Sequence, residues 1–247
     1  MKTFFTLIIT LILLTGCQEL THQVESTYDN GNDKIIFYSL FDTIIHGKSF
    51  TRKFKIKFNE KGDTLRKGVY IDQMALGEHS FYEKNKVNCK RNYIIPNPFF
   101  IDLDNNNEVL DFGKFKIKED STYLNTAVYF DLNGDSIISK SHFYSTKSLK
   151  NKWKINDSLE VQLKFHCAGY KVIKSDLYFI VPQDTSKVRL IFDAGDNYTF
   201  KRKIHDKDNN RIKGFVEITA IDKTKSLNDF DEYIQRIIFI DDVFEIE

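Results

Sequence analysis

The clearest structural signal in this sequence is SLEVQLKF at residues 158–165. Every second residue from Leu159 to Phe165 is apolar, and the residues between them are polar. A period of two places these apolar side chains on one face of an extended strand, whereas apolar positions in a helix recur every three to four residues. The segment therefore predicts a β-strand that turns one face toward a core.

Further short strands are predicted on both sides of this segment, separated by turns at intervals of roughly ten residues. The predicted strands are 34–38, 50–58, 112–118, 124–130, 137–144, 170–181, 189–192, 198–204, 212–221 and 233–246. The 22 Phe and 12 Tyr residues suit half-buried strands better than helices. One short helix is predicted at 227–233, where Asn228 or Asp229 would cap it.

Residues 156–159, NDSL, resemble the start of a strand in immunoglobulin-like extracellular domains. The resemblance implies an architecture and carries no activity. We therefore expect an all-β fold, with a hairpin-rich β segment at 34–95 followed by an Ig-like β-sandwich at 96–247. Pro96 and Pro98 mark the connection because proline cannot donate a hydrogen bond within a central strand, although the boundary can also be placed near residue 150.

Two turn signatures have the same order of residue types: FNEKGDTL at 58–65 and FDLNGDSI at 130–137. Each has an aromatic residue, a polar turn, Gly-Asp, a hydroxyl residue and an aliphatic residue. Glycine in such a turn supplies a positive φ, so both segments predict hairpins of one type.

Residues 58–86 resemble the MORN-type or YwqK-like hairpin repeats of bacterial surface and antitoxin-like proteins. The resemblance rests on Gly62, Gly68 and Gly77 between short aromatic segments, and 77–82 (GEHSFY) matches best. It implies a scaffold of stacked hairpins, with a glycine in each tight turn, and implies no reaction.

Lys53, Lys55 and Lys57 alternate with Phe54 and Ile56 in the strand predicted at 50–58. A row of lysines on one strand face has two interpretations, a polyanion-binding surface or an ordinary solvated face. We expect the solvated face, with the aromatic side buried.

The N-terminus has the layout of a secretory signal peptide, with Lys2, an apolar run and small residues before Cys17. The apolar run has about a dozen residues, and a helix needs roughly 20 to cross a bilayer. LTGC at 14–17 resembles the lipobox of bacterial lipoproteins of the Bacteroidetes type. That resemblance implies a signal peptide at 1–16, lipid on Cys17 as the mature N-terminus, and a tether at 17–33.

The predicted location is the cell envelope, and the outer membrane is preferred over the inner membrane. Glu19 is the only acidic residue directly after Cys17, so the side of the membrane stays open. The formal net charge is +1, which gives no overall field that would attract nucleic acid.

The strongest metal candidate has oxygen ligands at EF-hand-like offsets: Asp206, Asp208, Asn210 and Glu217. Arg211 stands where such a loop needs glycine, so we expect a polar hairpin tip between strands 198–204 and 212–221 instead.

Two interpretations of Cys89 and Cys167 stay open. They form one disulfide between the halves of the chain, or they are two separate buried thiols. His166 and Cys167 follow the strand predicted at 158–165. Adjacent side chains on a strand point to opposite faces, so these two would form no nucleophile–base pair unless a bulge intervenes. The sequence indicates no catalytic residue and no cofactor.

These patterns favour a non-catalytic binding or scaffold module that is attached to the envelope by its lipid. A protein or a glycan is the expected partner, and nucleic acid is not. Two alternatives stay open: an immunity or antitoxin-like lipoprotein that binds a protein toxin, suggested by the MORN-like stretch, and a hydrolase with a dispersed site.

Overall fold

The computed structural model describes residues 22–45, 48–95, 122–181, 184–191, 197–207, 210–222 and 233–247. Four predictions lie wholly or largely outside these ranges: the lipobox, the proline-marked connection, the strand at 112–118 and the helix at 227–233. Tyr233, the last residue of that predicted helix, begins a strand.

The described part of the chain is built almost entirely from antiparallel strands, which confirms the all-β prediction. Only one short 3₁₀ helix occurs among the described residues, at Ile138–Lys140. No helix in these ranges is long and apolar enough to cross a membrane. The strands are β1 (Gln23–Thr27), β2 (Asp33–Ser39), β3 (Thr43–Ile45), β4 (Lys48–Phe50), β5 (Arg52–Phe58), β6 (Thr64–Ile71), β7 (Met74–Glu83), β8 (Lys86–Ile94), β9 (Tyr123–Tyr129), β10 (Phe143–Ser148), β11 (Ser158–His166), β12 (Tyr170–Val181), β13 (Asp184–Ile191), β14 (Asn197–Lys203), β15 (Arg211–Asp222) and β16 (Tyr233–Val243).

The first sheet has the strand order β1-β2-β5-β6-β7-β8-β9, and β3 and β4 form a separate small hairpin. Consecutive strands from β5 to β9 pair with each other, so this part of the sheet is a meander. β9 pairs with β8. The first sheet therefore continues beyond residue 95 and past the boundary marked by Pro96 and Pro98, and β9 falls in the N-terminal segment only with the alternative boundary near residue 150.

Two further sheets share one hydrophobic core in the C-terminal part, with the orders β10-β11-β14 and β13-β12-β15-β16. The apolar face of β11 lies in this core, and Leu159, Val161 and Leu163 are fully buried. The strand predicted from SLEVQLKF is therefore confirmed, as is the direction of its apolar face. Trp153, in a stretch that reads as polar, is also a core residue at 2% exposure. The Ig-like description of this part stays a prediction.

β14 and β15 belong to different sheets, so the predicted hairpin between them is wrong. β14 pairs with β11, and β15 pairs with β12 and β16. The chain thus passes from one sheet to the other between the end of β14 at Lys203 and the start of β15 at Arg211. The positions of both strands were predicted correctly. Strands that follow each other in a sequence often pair but need not, and here each pairs with strands elsewhere in the chain.

The two glycine turns have the same hydrogen bonds, which confirms that they are one turn type. Asn59 Oδ1 accepts from the amides of Lys61 and Asp63, as Asp131 Oδ1 accepts from those of Asn133 and Asp135. Gly62 and Gly134 have φ of 86° and 91°. The segments after the turns differ, because 137–144 contains the 3₁₀ helix instead of the predicted continuous strand.

Candidate functional site

The first sheet has a row of basic residues that runs across its strands on one face. Direct cross-strand partners connect Lys55 to Gly68, His79 to Arg91, Arg91 to Ala127, and Ala127 to His142. His79 lies directly over Gly68. We call Lys55, His79, Arg91 and His142 the basic row. Because strands are about 4.8 Å apart, this row extends over roughly 24 Å from β5 to the residue before β10.

Gly68 makes room for His79 in the middle of the basic row. A Cβ atom at position 68 would lie 2.3 Å from His79 Nδ1, well inside van der Waals contact. Gly68 therefore lies in the interior of β6, where it permits this close approach, and not in a turn as the repeat resemblance implies. Gly77 likewise lies within β7, with φ of 69°.

His79 is a fully buried histidine whose two ring nitrogens are both occupied. Arg66 Nε donates to His79 Nδ1 at 3.2 Å, so Nε2 carries the proton and donates to the carbonyl of Val69 at 2.8 Å. Tyr70 and Tyr93 contact the ring edge to face, at 4.9 and 5.2 Å between centroids. Burial, followed by the nearby Arg66 charge, lowers the pKa of His79 to about 4, so the ring is neutral at pH 7.

Arg66 is held in a cage of aromatic rings. Its guanidinium carbon lies 5.3 Å from the ring centre of Tyr70, 4.8 Å from that of Phe81 and 5.7 Å from that of Tyr93. Arg91 lies over the same Phe81 ring at 4.5 Å. Cation–π contacts of this kind fix the plane of a guanidinium group and leave its edge free to donate hydrogen bonds.

Lys55 is buried, which corrects the prediction of a solvated lysine face on β5. It is 7% exposed, its Nζ lies 2.7 Å from Glu25 Oε1, and it lies over Tyr70 at 5.3 Å. Phe54 and Ile56 on the opposite face are only half-buried. Lys57, two residues further along, is exposed. Of these alternating lysines, Lys55 is therefore part of a buried ion pair, whereas Lys57 is an exposed cation.

A cavity of about 470 Å³ opens on this face between β1, β5, β6 and β7. Three cations and one carboxylate line it together with two aromatic rings, a side-chain amide and two aliphatic residues. The lining is Glu25, Ile35, Lys55, Lys57, Leu65, Arg66, Tyr70, Gln73 and Phe81. We call this space the β5–β7 cavity. Its size is within the range of about 300–1,000 Å³ that is usual for small-ligand sites.

The other end of the basic row meets the C-terminal sandwich. Arg236 of β16 donates a hydrogen bond from Nη2 to His142 Nε2. Burial lowers the pKa of His142 to about 4, and the charges of Arg236 and Arg91 act in the same direction. Next to this contact, the side chain of Asn125 bonds both to the amide and to the carbonyl of Phe239, at 2.7 and 2.9 Å. The basic row therefore ends in a polar contact between the first sheet and the sandwich.

The two cysteines of the described part are separate buried thiols, so the disulfide alternative is not found. Cys89 lies in the first sheet opposite Phe81, and Cys167 belongs to the sandwich core. Burial raises the pKa of the Cys167 thiol. Its neighbour His166 points the other way and stacks on Phe143 at 4.4 Å. A buried thiol with a raised pKa has little thiolate at neutral pH, which is typical of a structural cysteine.

The structure does not bring the calcium candidates together. Asp206 lies in the connection between β14 and β15, whereas Glu217 lies in the middle of β15, opposite Asp176 and Ile237. Residues from Arg211 onward are strand, so they cannot close a twelve-residue ligand loop. Asp208 lies outside the described residues. Within those ranges, no group of three or more metal-ligating side chains is present. Cys17, the lipidation candidate, precedes the first described residue.

Arg66, Tyr70 and His79 contact one another and form the most organised group on this face. This group was not predicted from the sequence. One signal for it is visible in the sequence, since Arg66, Gly68 and Tyr70 alternate within an extended stretch. A glycine at the centre of such an alternation indicates a place where another group approaches the backbone closely. The partner that approaches, His79, cannot be identified without the strand register.

No protein-family model matches this sequence, and no curated protein is significantly similar to it.

Proposed function

We propose that this chain is a lipid-anchored, non-catalytic binding module of a bacterial cell envelope. The observation that supports binding is the β5–β7 cavity, where cations and aromatic rings from three neighbouring strands face one concave space. Side chains on hydrogen-bonded strands hold their positions better than side chains on loops, which lowers the entropic cost of binding. The anchor is proposed from the lipobox resemblance at Cys17.

The histidine of this face, His79, has both ring nitrogens in hydrogen bonds, and the Cys167 thiol, in the core of the C-terminal sheets, is buried with a raised pKa. A general base needs a free nitrogen or oxygen within reach of a substrate proton. These contacts support a binding role over the hydrolase alternative.

A second candidate is the immunity-type role, in which the same face binds a protein toxin. Arg66, Tyr70 and Phe81 are of the residue types that dominate the energy of protein–protein interfaces. Five of the nine residues that line the cavity lie in the stretch 58–86 that resembles MORN-type repeats. In this role, the cavity would receive one side chain of the toxin.

The anchor is tested by expressing the full chain in a bacterium supplied with an alkyne-labelled fatty acid. We expect the wild-type protein to carry the label and to be found in the membrane fraction. We expect the Cys17→Ala variant to lose the label. An unlabelled wild type with an intact signal peptide would contradict the anchor.

Binding is tested by adding the purified full chain, in nanodiscs, to envelope fractions. We expect saturable binding that Lys57→Gln weakens and that Lys67→Gln leaves unchanged. Lys67 is an exposed lysine on the opposite face of β6, so it controls for the loss of one positive charge. Equal effects of both substitutions would contradict a role for this face.

A further inference from the structure

Lys57 and Arg66 form an unusual cross-strand pair within the β5–β7 cavity. They are direct partners in the ladder between β5 and β6, and both line the cavity. Like charges directly opposite each other on neighbouring strands destabilise a sheet. Within the described residues, Lys57 has no ion-pair partner, and the terminal nitrogens of Arg66 have no hydrogen-bond acceptor. An anion between the two side chains would remove this repulsion.

Arg66 is already oriented to bind such an anion. Its Nε is engaged by His79, and its plane is fixed by the rings of Tyr70, Phe81 and Tyr93. A guanidinium group held in this way keeps its remaining donors in a planar fork, which matches a carboxylate better than a single point charge does.

The remaining lining has groups suited to a hydroxyl-bearing ring. Tyr70 and Phe81 offer aromatic surface, Gln73 offers an amide, and Glu25 offers a carboxylate whose Oε1 accepts from Lys55. The second oxygen of Glu25 can accept a hydrogen bond from a donor such as a hydroxyl group.

We propose that the β5–β7 cavity binds an acidic sugar residue, such as a uronic acid unit of a polysaccharide. Its carboxylate is bound by Arg66 and Lys57, its ring packs on Tyr70 or Phe81, and its hydroxyls bond to Glu25 and Gln73. This inference rests on the proposed binding function, and it names the ligand class for the same site.

The test is calorimetric titration of the full lipidated chain, in nanodiscs of uncharged lipid, with tetragalacturonate. A neutral galactose tetramer and tetraglutamate are the comparison ligands. We expect saturable binding of tetragalacturonate only, and a loss of about fivefold to tenfold in affinity for Lys57→Gln. Lys67→Gln should bind like the wild type. Raising the salt from about 0.05 M to about 0.5 M should weaken binding severalfold, because exposed charge pairs are screened.

Arg66→Gln should abolish binding, but it also removes contacts to His79 and three rings. Lys57→Gln therefore carries the test, since Lys57 is exposed and its replacement disturbs no described contact. Equal binding of the neutral tetramer, or equal losses for Lys57→Gln and Lys67→Gln, would overturn the inference.

The remaining outcomes separate the ligand class from the proposed function. Binding of tetraglutamate in place of tetragalacturonate would overturn the sugar and leave a binding module for acidic peptides. The absence of any binding to these ligands, with envelope binding still sensitive to Lys57→Gln, would overturn the ligand class alone. If none of these ligands binds and envelope binding is also insensitive to Lys57→Gln, the inference and the proposed function are both overturned.

Discussion

Gly68 is the residue on which the basic row depends, because the imidazole of His79 occupies the space that a side chain at 68 would need. Gly68→Ala should destabilise the protein by about 2–4 kcal/mol, since the buried ring must move and give up its hydrogen bonds. The change is measured by urea unfolding at pH 7.

Gly62→Ala is the matched control for that substitution. Gly62 has open space around it but a φ of 86°, so alanine there should cost only about 1 kcal/mol through backbone strain. A Gly68→Ala protein no less stable than Gly62→Ala would contradict the packing of His79 on Gly68.

The fully buried His79 and the half-buried His142 predict a loss of stability in mild acid. The pKa of each is about 4 in the folded protein and near 6.5 when unfolded, so between these values only the unfolded chain binds the proton. Stability is then fully present above pH 6.5 and falls as the pH is lowered toward 4. Each ring contributes on the order of 3 kcal/mol to this fall.

This dependence is measured by urea unfolding at several pH values between 7 and about 5.5, where carboxylates with ordinary pKa values near 4 stay largely ionised. His142→Gln should show a shallower decline than the wild type, because one of the two titrating rings is gone. An unchanged slope would show that His142 is not buried as a neutral ring against Arg236.

At the scale of elements, the first sheet and the sandwich are connected through the side chain of Asn125, which is 3% exposed. Asn125→Ala should cost about 3 kcal/mol, because the amide and the carbonyl of Phe239 both lose their partner in a buried place. Thermal or urea unfolding measures the cost.

Tyr123→Phe is the control at the same junction. It removes one hydroxyl that donates to the carbonyl of Ile237 at 2.9 Å, and it should cost about 1 kcal/mol. If Asn125→Ala were as mild as Tyr123→Phe, the contact between β9 and β16 would not connect the two parts of the protein.

The elements also show what could be predicted from sequence. Strand positions and the two glycine turns were predictable because alternation and turn chemistry are local properties of a few residues. The crossover between β14 and β15 was not predictable, because the sequences of these two strands look the same whether the strands pair with each other or with distant partners. The burial of Lys55 was equally hidden, since its ion-pair partner Glu25 lies thirty residues earlier in the chain.

At the scale of the whole molecule, the all-β architecture followed from composition and periodicity, whereas the candidate site did not. Arg66, His79 and Arg91 share a face only because three strands are in one particular register. A shift of one residue would turn each of these side chains to the other face, and no local pattern reports the register.

Both described cysteines should behave as free, protected thiols. In a Cys17→Ser background, we expect two thiols per chain to react with a thiol reagent in denaturant without prior reduction, and to react slowly in native buffer. Reductant should leave the melting temperature unchanged. Thiols that appear only after reduction would show that Cys89 and Cys167 form a disulfide after all.

The central claim is that the cavity face of the first sheet is the binding surface of this protein. Hydrogen–deuterium exchange of the full chain in nanodiscs, with and without purified envelope polysaccharide, tests it most directly. The account predicts added protection in peptides from β5, β6 and β7 and none in β11 to β16. Protection confined to the sandwich strands, with β5 to β7 unchanged, would contradict it.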